Sequence, residues 1–220
     1  MTLYAELSGA IERGAAERVV GWACAALDGV VAGDLPVSAV RHPLGFVCLP
    51  VVRDGAEGVC VHLWQPARGL APPTTSPTHC HSWELLSWVL VGWLRNQTLA
   101  VDDGPRPTHR VFRVNSDAEG DTIEATDRLV RTRAVATTTH RAGDRYALPA
   151  GVFHETIVPD TEDMVATVAL GVMVPDATDL SLGGLHTKSH RVRRQVCARD
   201  ETVKAAKTVL TALTHPVSGT

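Results

Sequence analysis

Residues 78–92 read THCHSWELLSWVLVG, and the reading of this stretch decides the fold. If it is a strand, alternate residues face one side, so His79 and His81 project together and Cys80 points away. A strand rises roughly 3.3 Å per residue, which puts the two imidazoles about 7 Å apart, within reach of one metal ion. An HxH pair also arises by chance, so the pair needs a partner elsewhere in the chain. The question is whether the surrounding sequence is strand at all, and what else arrives at the same place.

The surroundings read as strands. From about residue 36 to 175, runs rich in Val, Thr and aromatic residues are separated by Gly, Pro, Asp and Asn. Examples are GFVCLPVV, GVCVHLWQP, THRVFRVNS, RTRAVATTTH and MVATVALGVMV. Short strands at regular spacing with turn signals between them predict a β-sandwich or barrel. PARGLAPPTTSPT reads as a Pro/Thr-rich loop leading into the opening stretch, and VDDGPRP as a turn between strands. The ends differ. Residues 3–28 carry apolar positions at helical spacing, interrupted by Gly9 and Gly14, and predict one or two short helices. Asp200 before ETVKAAKTVLTALT predicts an N-capped helix over 201–213.

Bulk properties narrow the function classes. The chain has 220 residues, 45% hydrophobic and 20% charged, with a formal net charge of −3. That charge argues against broad electrostatic binding to nucleic acid, and no helix pair for DNA recognition is evident. No run of about 18 apolar residues exists, so no membrane span is expected. The N-terminus carries Glu and Arg early and lacks a signal peptide's apolar centre. The five cysteines (24, 48, 60, 80, 197) are scattered, odd in number and form no CxxC pair. They read as reduced thiols of a cytoplasmic protein.

The partner for the HxH pair lies at residues 143–154, GDRYALPAGVFH. Gly143, Pro149, Gly151 and His154 make the pattern GxxxxxPxGxxH. This resembles the second motif of the cupin superfamily, and His79, His81 and Gly92 fit the frame of its first motif. The resemblance covers roughly residues 40–175, with about 50 residues between the motifs. It implies an all-β fold, a cupin-type jelly-roll β-barrel with short helices at both ends. The division expected is a helical extension over 1–35, the barrel over 36–175, and an extension over 176–220 ending in a helix. A PxG turn suits delivery of a strand whose His154 points back into the barrel, since Pro presets φ and Gly supplies conformations other residues avoid. His79, His81 and His154 would then form a facial set that leaves positions open, as catalytic metal sites require.

Glu84 departs from the pattern. The family glutamate falls four or five residues after the second histidine, whereas Glu84 falls three after and Leu85 takes the shorter-form position. A straight strand turns Glu84 away from the metal, while a bulge brings it back as a fourth ligand. Without it the site resembles the three-histidine iron centre of thiol dioxygenases. With it the site resembles the three-His-one-Glu cupins, which hold iron, manganese, nickel or zinc. A set of small cupins is also similar through HPxGF, HxW and HxHxW, here His42-Pro43-Leu44-Gly45-Phe46, His62-Leu63-Trp64 and His79-Cys80-His81-Ser82-Trp83.

Other residues are candidates by position. His62 and Trp64 share a strand face and either line the pocket as substrate-binding groups or simply pack. Tyr146, inside the second motif, and His140, just before it, are candidate catalytic groups. Each also fits a structural role, and a strand-end position suits His140. Arg113, Arg131 and Arg133 would bind a substrate carboxylate if inward, with the surface as the default. Trp83, Trp88 and Trp93 read as core or interface, and His186 and His190 as part of a solvated segment.

The resemblance implies one divalent transition metal, Fe(II) first, with Zn, Mn or Ni as alternatives. The leading expectation is a non-haem Fe(II) dioxygenase acting on a small amino-acid- or thiol-like molecule with O2. A non-redox Zn or Mn lyase, isomerase or hydrolase is a second possibility, and a cupin that binds or senses a small molecule without turnover a third. Family habit also implies a homodimer.

Overall fold

The computed structural model describes residues 2–65, 75–117 and 119–215. Residues 66–74 of the Pro/Thr-rich loop lie outside them. Two helices come first, α1 (Leu3–Glu12) and α2 (Ala16–Ala32). They break at Gly14, whose φ of 67° suits glycine. Fourteen strands follow among the described residues: β1 (Val40–His42), β2 (Phe46–Asp54), β3 (Glu57–Trp64), β4 (His79–Cys80), β5 (Trp83–Val91), β6 (Trp93–Asp102) and β7 (His109–Asp117). Then come β8 (Gly120–Arg141), β9 (Arg145–Leu148), β10 (His154–Ile157), β11 (Val165–Met173), β12 (Leu180–Gly183), β13 (His190–Val192) and β14 (Gln195–Val196). The last helix, α3, spans Arg199–Thr214. It starts before the sequence-based expectation: Ala198 is the N-cap residue, and Glu201 reaches back to accept its amide at 3.1 Å. Asp200 sits in the first turn, where a carboxylate favours the helix dipole.

The strands form two antiparallel seven-stranded sheets, a jelly-roll-type β-sandwich. Sheet A runs β14-β1-β2-β3-β11-β5-β9, and sheet B runs β13-β8-β6-β10-β4-β12-β7. The long β8 also pairs with β7, so sheet B curls round to meet itself. Strand pairing continues past residue 175, because β12, β13 and β14 join the same two sheets.

The alternation of β3 explains the layering. Val59, Val61 and Leu63 point outward and are fully buried, or nearly so, beneath α1, α2 and α3. Leu7, Ile11, Val19, Leu27, Ala206 and Val209 of the helices close this core from above. The helical ends therefore form a layer over one face of sheet A. Cys60, His62 and Trp64 alternate to the opposite side, toward sheet B, where a cavity opens between the sheets. A one-residue bulge at Val51 shifts the register of β2 against β3. Val52 pairs with Val59, but Pro50 pairs with Cys60 and Cys48 with His62.

A candidate metal centre between the sheets

The first motif crosses from one sheet to the other. His79 lies on β4 in sheet B, and the chain enters β5 of sheet A at Trp83. Side chains keep strict alternation across this passage. His79, His81, Trp83 and Leu85 line the cavity, while Cys80 packs with Val111, Val130, Phe153 and Leu182 on the far side of sheet B. Burial there pushes the Cys80 thiol up to about 11, as befits an inert packing residue.

The second motif meets the first directly. Gly151, at φ 77°, donates its amide to the His81 carbonyl at 2.9 Å, so the PxG turn is fastened to the HxH segment. The next strand, β10, then places His154 directly opposite His79. One ring nitrogen from each of His79, His81 and His154 falls within 4.8 Å of the others. Two of the rings are oriented by backbone. Nδ1 of His79 donates to the Pro77 carbonyl at 2.8 Å and Nδ1 of His154 to the Val152 carbonyl at 2.9 Å. That tautomer leaves each Nε2 with its lone pair free to ligate. His81 is held differently, stacked on Trp83 with ring centroids 4.0 Å apart. Trp83 in turn lies on Gly171, where an added Cβ would come within 2.8 Å of the indole.

Burial keeps these imidazoles neutral. It holds His79 down to about 3, with the neighbouring His154 adding to the effect and the Pro77 carbonyl opposing it. Burial likewise lowers His154, and it lowers His81 further, helped by the charges that His79 and His154 would carry. Three neutral nitrogen donors converging on one point fit a divalent transition metal.

Glu84 does not join them. Because alternation persists through Ser82 and Trp83, Glu84 pairs with Val172, points to the helix side of sheet A and is exposed. There its charge adds to burial and to Glu57 in raising the Tyr4 phenol of α1. Of the two courses open to the strand, it takes the straight one at this point, and Leu85 presents an apolar side chain to the cavity instead.

The cavity encloses about 900 Å³ and is lined from both sheets. His62 and Trp64 line it in an aromatic group: Phe46 lies 4.5 Å from His62 and 5.0 Å from Trp64. Tyr146 lines it too, its phenol beside the Ser87 and Asn96 side chains. Burial raises this phenol. The His140 ring lies tilted against Tyr146, with centroids 4.7 Å apart, but faces a separate hollow of about 260 Å³. Arg113 reaches the cavity rim while paired with Glu124 at 3.1 Å, and Arg131 and Arg133 are exposed.

Several cavity residues escape a reading of the sequence. His42 stacks flat on Phe46 at 4.3 Å, and its Nδ1 accepts the Leu44 amide, so Nε2–H is turned into a donor. The HPxGF stretch was the only signal for it. Asp179 accepts the Ser82 amide and fixes the crossing between sheets. Cys48 and Cys60, twelve residues apart, both reach the cavity wall.

No protein-family model matches the chain, and no curated protein does. Among solved structures the chain is similar to hydroquinone 1,2-dioxygenase PnpCD in complex with Cd2+ and 4-hydroxybenzonitrile, at 14% identity over 57% of this chain and 63% of that one, TM-score 0.34. It is similar to hydroquinone 1,2-dioxygenase from Sphingomonas sp. TTNP3 with 4-hydroxybenzoate bound, at 15% identity over 56% and 63%, TM-score 0.36. A third likeness is to FeII HppE, at 11% identity over 58% and 50%, TM-score 0.34. Each match spans less than two thirds of the other chain. These are partial likenesses of chain path, and the chemistry of the site stands on its own residues.

Proposed function

We propose that this chain is a cupin-type enzyme in which His79, His81 and His154 hold one divalent metal, Fe(II), for oxidation of a small molecule by O2. The observation that carries this is the convergence of three neutral, backbone- or stack-oriented imidazoles on the wall of a cavity of about 900 Å³. Since Glu84 faces away, the ligand set adds no negative charge. Fe(II) held by these three imidazoles would keep its full charge and would supply Lewis-acidic, redox-active chemistry to the cavity. An anionic thiolate or carboxylate substrate suits that charge.

The protein's own part is binding and orientation. Phe46, Trp64 and Leu85 shield the cavity from water, which strengthens every polar contact inside it. His42 offers an N–H and Tyr146 a hydroxyl to a substrate lying between the sheets. The carboxylates at the cavity already have partners. Asp121 is paired with Arg194, Asp179 accepts the Ser82 amide, and Glu57 accepts the Thr2 hydroxyl. A Zn or Mn lyase or hydrolase that needs a free carboxylate as acid or base is therefore the weaker reading.

Anaerobic purification after growth with iron, followed by elemental analysis and oxygen uptake with cysteine and related small thiols, tests the proposal. The expected result is iron near one per chain, lost in His154→Ala, with uptake of oxygen that depends on it. Wild-type protein that retains no iron under these conditions, or iron content unchanged by His154→Ala, would overturn the assignment.

A further inference from the structure

The wall facing the three histidines carries a second group of metal-ligating atoms. Cys48 stands directly opposite His62 across the β2–β3 pair, and Cys60 precedes His62 by two residues on the same face of β3. The two sulfurs and one imidazole nitrogen lie within 4.8 Å of one another, as closely grouped as the three imidazoles. Ligands around a tetrahedral ion, with metal–sulfur bonds of about 2.3 Å and metal–nitrogen bonds of about 2.0 Å, stand about 3.5–3.8 Å apart.

The surroundings differ from those of an ordinary buried cysteine. Cys80 and Cys197 pack among aliphatic side chains. Cys48 and Cys60 instead lie beside each other and beside the His62 imidazole, with Phe46 and Trp64 around them. Their position is specified by the bulge at Val51. If Val51 paired in the ladder instead of bulging, Cys48 would fall opposite Leu63, on the helix side of the sheet, and the group would not assemble.

We propose that Cys48, Cys60 and His62 form a second metal site, for a thiophilic ion of the zinc(II) class, with its fourth position open to the cavity that His79, His81 and His154 also line. Two thiolates and one imidazole select a soft or borderline ion, whereas three imidazoles accept iron. The two walls thus hold different metals, and the second site stands whether or not the first is an iron oxygenase centre.

The test uses the full chain, stripped with chelator under reductant and dialysed anaerobically against cobalt(II). Cobalt bound by thiolate gives an intense near-ultraviolet charge-transfer band that cobalt bound only by imidazole lacks. The expected result is two cobalt ions per chain and this band. The double variant Cys48→Ser, Cys60→Ser loses the band and one of the two ions, while His154→Ala keeps the band. One cobalt with the band supports this site and sinks the histidine site. Wild-type protein with cobalt but no thiolate band overturns the proposal without any variant, and so does a band that survives the double substitution.

Discussion

The two faces of sheet A are made by the same strands and have opposite compositions. On β3, Val59, Val61 and Leu63 face the helices, and Cys60, His62 and Trp64 face the cavity. On β5, Leu86, Trp88 and Leu90 go outward, while Leu85 and Ser87 go inward. Both faces are largely buried, so burial alone does not tell packing from chemistry. What separates them at their centres is the side chains themselves: Cys60, His62 and Ser87 on the inner parity, and Val59, Val61, Leu63 and Leu90 on the outer. The outer face secures the fold by apolar burial under a helical layer. The inner face spends part of that opportunity on groups that need partners.

Substitutions on the two faces should therefore separate stability from metal content. His154→Ala, on the inner side, is expected to have the largest effect, with near-complete loss of the ion held by the three histidines, read by elemental analysis. Leu63→Ala, on the outer face, should lower stability by about 2–5 kcal/mol and leave metal stoichiometry intact. Urea unfolding of the metal-free protein and metal content of the loaded one check both halves, and metal lost along with stability would break the contrast. Trp83→Leu removes the ring that holds His81 and should weaken metal affinity roughly 10–100-fold, measured by competition with a chelator.

Acid should act through the inner side. His79 titrates at about 3 in the folded chain against 6.5 ordinarily. Between those values the unfolded chain takes up a proton that the folded chain refuses. The contribution is thus full above about 6.5 and is lost as pH falls toward about 3. Urea midpoints of the metal-free protein at several pH values should fall across that window, with a shallower fall in His79→Ala. Glu84→Gln should do least, leaving metal content unchanged and stability within about 0.5 kcal/mol. Loss of metal in this variant would return Glu84 to the site.

The histidine site was legible because its information is local. HxH on a strand and a PxG turn before His154 each specify a direction over a few residues, and the strand then does the rest. Glu84 turned on whether the alternation slips between His81 and Leu85, which depends on how the chain crosses from sheet B to sheet A. The Asp179 contact to Ser82 fixes that crossing from almost a hundred residues away. The helical segments were legible from composition and spacing, but their packing over sheet A was not, since each end alone reads only as an amphipathic helix. Cys48 and Cys60 looked scattered because their meeting depends on pairing register, and register is a property of two strands together.

The bulge at Val51 gives that register an unusual sensitivity. Strand β2 is read in twos, much as a message is read in threes, and Val51 is the extra letter that the pairing skips. Deleting that one codon would shorten the chain by a residue of modest burial. The ladder would then run unbroken, with Pro50 still opposite Cys60 and Cys48 still opposite His62, so Phe46 and Cys48 would keep facing the cavity and Val47 and Leu49 the helices. Were Val51 instead taken into the ladder, every residue before it in β2 would change face, so an aliphatic lining and a thiol-bearing one differ here only in whether one residue is counted.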